Sequence, residues 1–386
     1  MPDLYAKGGI QVYSTFFLRS LVSQFPENQY TIVVKNDPRR ASETASWPEG
    51  VRVVRLGDWP PRIRTAAFSM RLAFEECRHR PSLVICGHLN FTVAARWLKR
   101  ATGVPYWAIA HGIEAWNIQD EGVRAGVRDA DRILSVSHFT ASRLRQEQQL
   151  DDARISLLPN TFEPGNFFVR PKPQYLLERH GIAPDAKILM TVARLDRGER
   201  YKGYDRILQA LSEIRHHVPN VHYVLVGKGN DRPRIERLIE QHRIADRVTL
   251  AGFIPDEELP AYYNLCDVFA MPSKKEGFGI VYLEALASGK PVLAGNRDGG
   301  VDALCGGELG VLVDPDDQAE ITRALIEMLR ETHPLAILRS PERLRERVID
   351  AYSFERFNAR LRSIWTEHFH AGAALAPADA GVAATS

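Results

Sequence analysis

Short apolar runs alternate with segments of helical period along almost the whole chain. In the first half the runs Tyr30–Lys35, Val51–Leu56, Leu83–Cys86, Tyr106–Ala110, Arg132–Val136 and Ile155–Leu158 predict strands. Helices fit between them, for example Phe91–Arg100 and His138–Gln148. A second series follows at Ile188–Val192, His222–Val226, Val248–Leu250, Val268–Met271, Val292–Ala294 and Val311–Val313. The helix after Gly203 shows its period clearly, with Ile207, Leu208, Leu211 and Ile214 on one face. Strands alternating with helices predict an α/β fold built on parallel sheets. Residues 342–369 read as one helix.

Pro159, Pro164, Pro171 and Pro173 cluster around Asn160, Gly165 and Asn166 between the two series, which reads as a linker. The 386 residues exceed one ordinary core and suit two. The expected organisation is a first domain over 1–168 and a second over 174–345. A helix over 346–370 is expected to pack back towards the first domain. The Ala-rich tail 371–386 has no apolar face and is expected to be disordered. The start is unusual. Gly8-Gly9 before the helix-like Ile10–Val22 looks like the turn between a first strand and a first helix. Only Met1–Lys7 precede it, including Pro2, whereas a central strand needs about five β-forming residues. The expectation is a first strand that is truncated or absent.

Composition narrows the class. Hydrophobic residues make up 45% and charged residues 25%, as in soluble globular proteins. No apolar run reaches the roughly 20 residues of a membrane span, and no secretory leader is evident. A cytoplasmic protein, at most peripheral on the inner face of the cell membrane, is expected. Cys77, Cys86, Cys266 and Cys305 lie far apart and read as free thiols in a reducing compartment. The net charge of +2 does not suggest nucleic acid. The charge is uneven, however: residues 1–170 hold 22 Lys and Arg against 17 Asp and Glu. Arg52, Arg55, Arg62, Arg64, Arg71, Arg78 and Arg80 account for much of the excess, interleaved with Trp59, Phe68, Leu72 and Phe74. Such a stretch suits contact with anionic lipid or a phosphorylated acceptor, or else a solvated helix face.

Candidate chemistry concentrates in the second half. The segment from Lys275-Glu276-Gly277-Phe278-Gly279-Ile280 to Glu284 and Gly289-Lys290-Pro291 occupies a strand-to-helix turn. Its glycines let backbone N–H groups approach a ligand, and the helix start favours a diphosphate. Glu276 and Glu284 are placed to touch two parts of one elongated ligand. Arg194, ending a strand, and Lys202, opening a helix, put two cations where open α/β sheets bind phosphate. Gly227 and Lys228 lie in a Gly-x-Gly turn after another strand.

The Glu276-x7-Glu284 pattern in its glycine context closely resembles the signature of the family 4 retaining glycosyltransferases, which have the GT-B fold of two Rossmann-like domains facing a cleft. The resemblance implies a nucleotide-diphosphate sugar, UDP- or GDP-linked, as donor. It puts Glu276 by the donor sugar, Glu284 on the ribose hydroxyls and Arg194 and Lys202 on the diphosphate. Gly227, Lys228, Phe253, Ile254, Gly277, Phe278, Gly279 and Ile280 would border the nucleotide. In the first half, Gly8-Gly9 resembles the glycine loop that reaches the donor phosphate, and His111 the histidine beside the transferred sugar. Glu114, His88 and Asn90 are candidates for acceptor contact. The implied activity is hexosyl transfer with retention, giving an α-linked product in polysaccharide or lipopolysaccharide synthesis. The implied acceptor is a glycan or a polyprenyl-diphosphate-linked chain. No cofactor and no metal are expected: the strings Asp129-Ala130-Asp131 and Asp314-Pro315-Asp316 lie away from the glutamate motif, and no His/Cys spacing suits a metal. The competing readings are a nucleotide-sugar epimerase of the same architecture, a phosphorylase-like enzyme and a non-catalytic sugar-nucleotide-binding subunit.

Overall fold

In a computed structural model, residues 1–5, 8–38, 47–48 and 50–374 are described. The first half contains α1 (Gly9–Gln24), β1 (Tyr30–Val34), β2 (Val51–Arg55), α2 (Pro61–His79), β3 (Val84–Cys86), α3 (Thr92–Thr102), β4 (Tyr106–Ala110), α4 (Glu121–Asp129), β5 (Arg132–Ser135), α5 (His138–Gln148) and β6 (Ile155–Leu157). The second contains α6 (Gln174–His180), β7 (Lys187–Val192), α7 (Tyr204–His217), β8 (Val221–Val226), α8 (Arg232–Gln241), β9 (Val248–Gly252), α9 (Leu259–Leu265), β10 (Val268–Met271), α10 (Ile280–Ala287), β11 (Val292–Gly295), α11 (Gly300–Ala303), β12 (Val311–Val313) and α12 (Gln318–Leu329). Helices α13 (Pro341–Tyr352) and α14 (Phe354–Ala374) close the chain.

All strand pairs are parallel, and each expected strand is present with ends moved by a residue or two. The second half forms one sheet in the order β12-β11-β10-β7-β8-β9. Chain order reverses between β7 and β10, so a crevice opens beyond the carboxyl ends of those two strands, where open α/β sheets take ligands. The fold class is the α/β, two-Rossmann-like architecture expected. The first half departs from a single sheet: β1 pairs only with β2, while β3-β4-β5-β6 form a separate group.

Packing explains the remaining elements. Ile207, Leu208, Leu211 and Ile214 are fully buried against the second sheet, as their spacing required. The Pro-rich connection is ordered, because Phe162 and Phe167 are buried in the large core that both halves share. The helix expected over 342–369 is two helices. Ser353 breaks it in an extended conformation and bridges to Phe162. Thr161 donates to the Tyr352 carbonyl at 2.8 Å, so the break is where the final segment meets the connection. From there α14 returns to the first half: Phe357 lies edge-on to Tyr13 of α1 at 5.7 Å, and Trp365 meets Phe25 and Trp107. Residues 371–374 extend α14 rather than joining a disordered tail, and 375–386 lie outside the described residues.

Candidate functional site

The loops after β7 and β10 meet at the switch point. Lys202, on the turn before α7, forms an ion pair with Glu276, on the loop after β10. Both side chains are mostly covered, at 15% and 13% exposure, so the pair is shielded from water. Burial opposes the Lys202 charge, but the Glu276 carboxylate outweighs it and raises the ammonium above its usual range. Lys202 therefore stays cationic. Arg194 points elsewhere: it is 66% exposed and paired with Glu199. The Tyr201 phenol sits among Arg194, Glu199, Lys202 and Glu276; burial first, then Glu276 and Glu199, push it up to about 12 against the opposite pull of Lys202 and Arg194.

The glutamate loop is braced from behind by a residue that the sequence reading missed. Asp298, fully buried after β11, accepts the Glu276 N–H at 2.7 Å and the Gly300 N–H at 2.8 Å. Burial pushes this carboxyl up to about 7 against those donors. Gly299 N–H donates to the Glu276 carbonyl at 2.8 Å, and a Cβ at Gly299 would lie 1.9 Å from the Gly277 carbonyl oxygen. The only sequence signal for this brace was Asp298-Gly299-Gly300 directly after a strand.

Helix α10 begins at Ile280, so Glu284 is one turn inside it. Among the described residues no acceptor meets the N–H groups of Gly277, Phe278, Gly279 or Ile280, which leaves them available at a helix start, where anions bind. The Phe278 ring faces the other way, buried against Tyr352, so only its backbone can serve a nucleotide. Glu284 accepts the Tyr263 hydroxyl at 2.6 Å. Burial raises Glu284 to about 7, with Tyr263 pulling the other way. Tyr263 orders this carboxylate and had no sequence signal.

The turn after β8 brings three strand ends together. The Gly227 N–H donates to the Gly252 carbonyl at 2.7 Å, and a Cβ there would lie 1.8 Å from the Ala193 oxygen. Gly227 thus serves close approach between strand ends, with its own amide engaged there. Lys228 lies 4.9 Å from the ring centre of Phe253, which is half exposed, with Ile254 partly buried beside it.

The first half reaches the site through β4. His111 places Nε2 3.0 Å from the Gly87 carbonyl, and the Glu114 carboxylate accepts the His111 backbone N–H. Burial lowers the imidazole to about 4, against the opposite pull of Gly87. His111 is therefore neutral, with its proton on Nε2 and Nδ1 as an acceptor. Burial raises Glu114 and lowers His88, which lies within electrostatic reach of both. Asn90 is exposed and turned back, its N–H on His88 Nδ1. The two halves touch here: a Cβ at Gly277 would lie 1.7 Å from the His111 carbonyl oxygen, and one at Gly112 2.5 Å from Gly277 Cα. His111 and Glu276 thus flank one point of contact. Gly8 and Gly9 start α1, with open space around Gly9, while a Cβ at Gly8 would lie 2.6 Å from Gln11 Oε1.

Both Asp-x-Asp strings are engaged in ion pairs. Asp129 meets Arg96 and Arg100, Asp131 meets Lys99, and Asp314 and Asp316 meet Arg297 and Lys274. No group of three or more metal-ligating side chains occurs among the described residues.

The comparisons with known proteins agree with this geometry. Residues 8–161 match the family model described as a glycosyl transferase 4-like domain, and residues 176–350 that of glycosyl transferases group 1. The chain is 31% identical over 352 residues to the GDP-mannose-dependent alpha-(1-6)-phosphatidylinositol monomannoside mannosyltransferase of Mycolicibacterium smegmatis, covering 86% of this chain and 88% of that relative. It is 29% identical to the D-inositol 3-phosphate glycosyltransferase of Corynebacterium diphtheriae, covering 83% and 82%. Among solved structures, sucrose-phosphate synthase from Thermosynechococcus elongatus superposes with a TM-score of 0.78 at 21% identity, over 94% of each chain. HepE from Anabaena, in complex with UDP and glucose, gives 0.77 at 18%, over 95% of this chain and 98% of that one. The chain belongs to the family 4 glycosyltransferases of GT-B fold, and its activity is glycosyl transfer.

Proposed function

We propose that the protein transfers a hexose from a nucleotide-diphosphate donor to a hydroxyl of a lipid-anchored acceptor, with retention and without a metal ion. GDP-mannose is the first donor to test, since the full-length relative at 31% identity is described as GDP-mannose-dependent. The observation that carries the reading is the shielded Lys202–Glu276 pair at the switch point, facing neutral His111 across the Gly112–Gly277 contact. On this reading the diphosphate lies over the free amides before α10, and Arg194 exchanges Glu199 for phosphate. Lys202 and Arg194 then stabilise the charge that grows as the nucleotide leaves. Glu276 and His111 orient the sugar, and Glu284, held by Tyr263, accepts from the ribose hydroxyls. The two carboxylates described at this contact are already engaged: Glu276 with Lys202 and Glu114 with the His111 amide. That arrangement favours a front-face route, in which the leaving phosphate takes the acceptor proton.

The acceptor side is read from α2. It exposes Ile63, Met70 and Phe74, with Trp59 at its approach and exposed Arg62, Arg78 and Arg80 around them. Apolar tips ringed by arginines suit an anionic membrane surface, which favours a peripheral site on the cytoplasmic face. A thermal-shift series with GDP, UDP, ADP and dTDP identifies the base, because a ligand of the native state raises Tm. Turnover of GDP-mannose with a mannosyl-phosphoinositide acceptor, followed by NMR of the anomeric proton, tests the rest. An α-product formed equally with and without EDTA is expected. A β-product, or strict dependence on a divalent ion, rules the mechanism out.

A further inference from the structure

The turn between β7 and α7 carries a carboxylate with no part in the transfer itself. Glu199 is 14% exposed and forms an ion pair with Arg194, which is 66% exposed. Its second oxygen, Oε2, is buried and meets no hydrogen-bond partner among the described residues. The backbone leaves helical values at this residue, with φ −114° and ψ 22°, inside the short run Arg197–Lys202. Glu199 also lies within electrostatic reach of Lys202 and Tyr201. Each of the two cations read as diphosphate contacts thus has a carboxylate of its own: Glu276 for Lys202 and Glu199 for Arg194.

The two members of the Arg194–Glu199 pair differ in what can move. Glu199 is fixed, because its N–H donates to the Asp196 carbonyl at 2.8 Å and the turn is tied down on every side. The Arg197 N–H donates to Asn230 Oδ1 at 2.8 Å, and the Asn230 N–H to Asp196 Oδ1 at 3.3 Å. Arg200 reaches Asp231 at 3.1 Å, a fully buried carboxylate that also holds Arg234 and the Tyr204 hydroxyl. The Lys274 N–H donates to the Tyr201 carbonyl at 3.1 Å. The Arg194 side chain is long and mostly in solvent, so an exchange of partners is a swing of its guanidinium while Glu199 stays.

Resting on the reading of Arg194 as a diphosphate contact, we propose that Glu199 is a built-in rival of the diphosphate for Arg194 and sets how tightly the nucleotide is held. A carboxylate and a phosphate offer the guanidinium the same paired acceptor oxygens. The diphosphate prevails because it brings more charge, and an ion pair with one exposed member is weak. Binding must still give up the Glu199 pair, which lowers the net gain. It also leaves that carboxylate near a bound anion, a smaller effect because Lys202 remains within its reach. The device suits a transferase, whose nucleotide product keeps the whole diphosphate and must leave before the next donor enters.

Calorimetric titration of GDP into the full chain, or of UDP where GDP does not bind, tests this. Glu199→Gln keeps the shape and removes the charge. It should tighten binding by about 5-fold or more, the scale of one ion pair, and strengthen product inhibition by the same factor. A damaged loop would not produce a gain in affinity. Arg194→Gln should weaken binding by about 5-fold or more. In the Arg194→Gln background, Glu199→Gln should add only about 2-fold or less, since the two side chains act as a pair. Weakened binding in Arg194→Gln with no gain in Glu199→Gln overturns the rival role and leaves Arg194 on the diphosphate. A full gain without Arg194 overturns it too, because Glu199 then repels the nucleotide directly. No loss in Arg194→Gln takes Arg194 off the diphosphate and the inference with it, as does a parent that binds neither nucleotide. Should Glu199→Gln fail to fold, Glu199→Asp decides. Its shorter side chain withdraws the charge from Arg194 and should tighten binding by about 2-fold or more, and unchanged binding overturns the proposal.

Discussion

Side chains at the site reveal themselves in different ways. Lys202 and Glu276 were readable because each stands at a chain position, strand end or helix start, where charge has a defined use. Asp298 was not readable, since its work is to hold two backbone amides, and that depends on where β11 lies beside β10. The roles predict different losses. Lys202→Ala removes a cation from the leaving group and should lower kcat by about 100-fold or more, measured at saturating donor. Near-normal turnover would refute the role. Asp298→Asn should instead change the pH dependence of stability. The Asp298 carboxyl is raised to about 7 in the folded state from an ordinary 3.8. Its contribution is therefore fully present below about pH 4 and lost as pH rises through about 7. Glu284 follows the same sign. His111, lowered to about 4 from 6.5, contributes fully above 6.5 and loses that contribution as pH falls through about 4. Denaturant unfolding between pH 6 and 8 should show stability falling with pH in the parent and a shallower fall in Asp298→Asn. Identical slopes would remove Asp298 as the titrating group.

At the scale of elements, the helical and strand periods carried the fold almost completely, because parallel strands buried on both faces are continuous apolar runs. The misses have local causes. Ser353 breaks a helix that the sequence continues, because an extended residue there lets the chain bridge to Phe162. The basic stretch behaves neither as a simple charged patch nor as a solvated face. Arg52 and Arg71 are held by Glu75, Arg64 by backbone carbonyls, and Arg55 stacks on Tyr5. What remains outward on and beside α2 is a set of apolar tips among Arg62, Arg78 and Arg80, with Met70 at 65% and Phe74 at 51% exposure. The pair Met70→Glu and Phe74→Glu should abolish most binding to vesicles of phosphatidylglycerol in a sedimentation assay. It should leave Tm nearly unchanged and nucleotide binding intact, since both side chains are more than half exposed and Phe74 is met by the Arg71 guanidinium at 5.3 Å. Undiminished binding would move the membrane contact elsewhere.

For the whole molecule, the contact between halves was the least legible feature, because it is made by absent atoms. Gly112 and Gly277 lie far apart in sequence, and neither stands out as an interface residue. Yet the Cβ missing from each is what allows the β4 loop and the glutamate loop to touch. A second latch lies further along, where Asp302 of α11 accepts the His138 N–H at 2.8 Å at the start of α5. On the proposed function, these contacts fix how an acceptor on the first half is presented to a donor held by the second. Gly112→Ala tests that geometry. The position has φ of +140°, strained for any side chain, and the new methyl would meet Gly277 Cα at 2.5 Å. The halves must separate locally, while Lys202, Glu276, Glu284 and Tyr263 keep their places within the second half. Nucleotide binding, read as the rise in Tm, should persist, and kcat should fall by about 100-fold, the scale of a displacement near 1 Å at a reacting centre. Gly165→Ala, where a methyl meets nothing within 4 Å, should leave both unchanged. Loss of nucleotide binding in Gly112→Ala would instead place the first half directly on the nucleotide, and unchanged turnover would show that the glycine contact is not part of the working state.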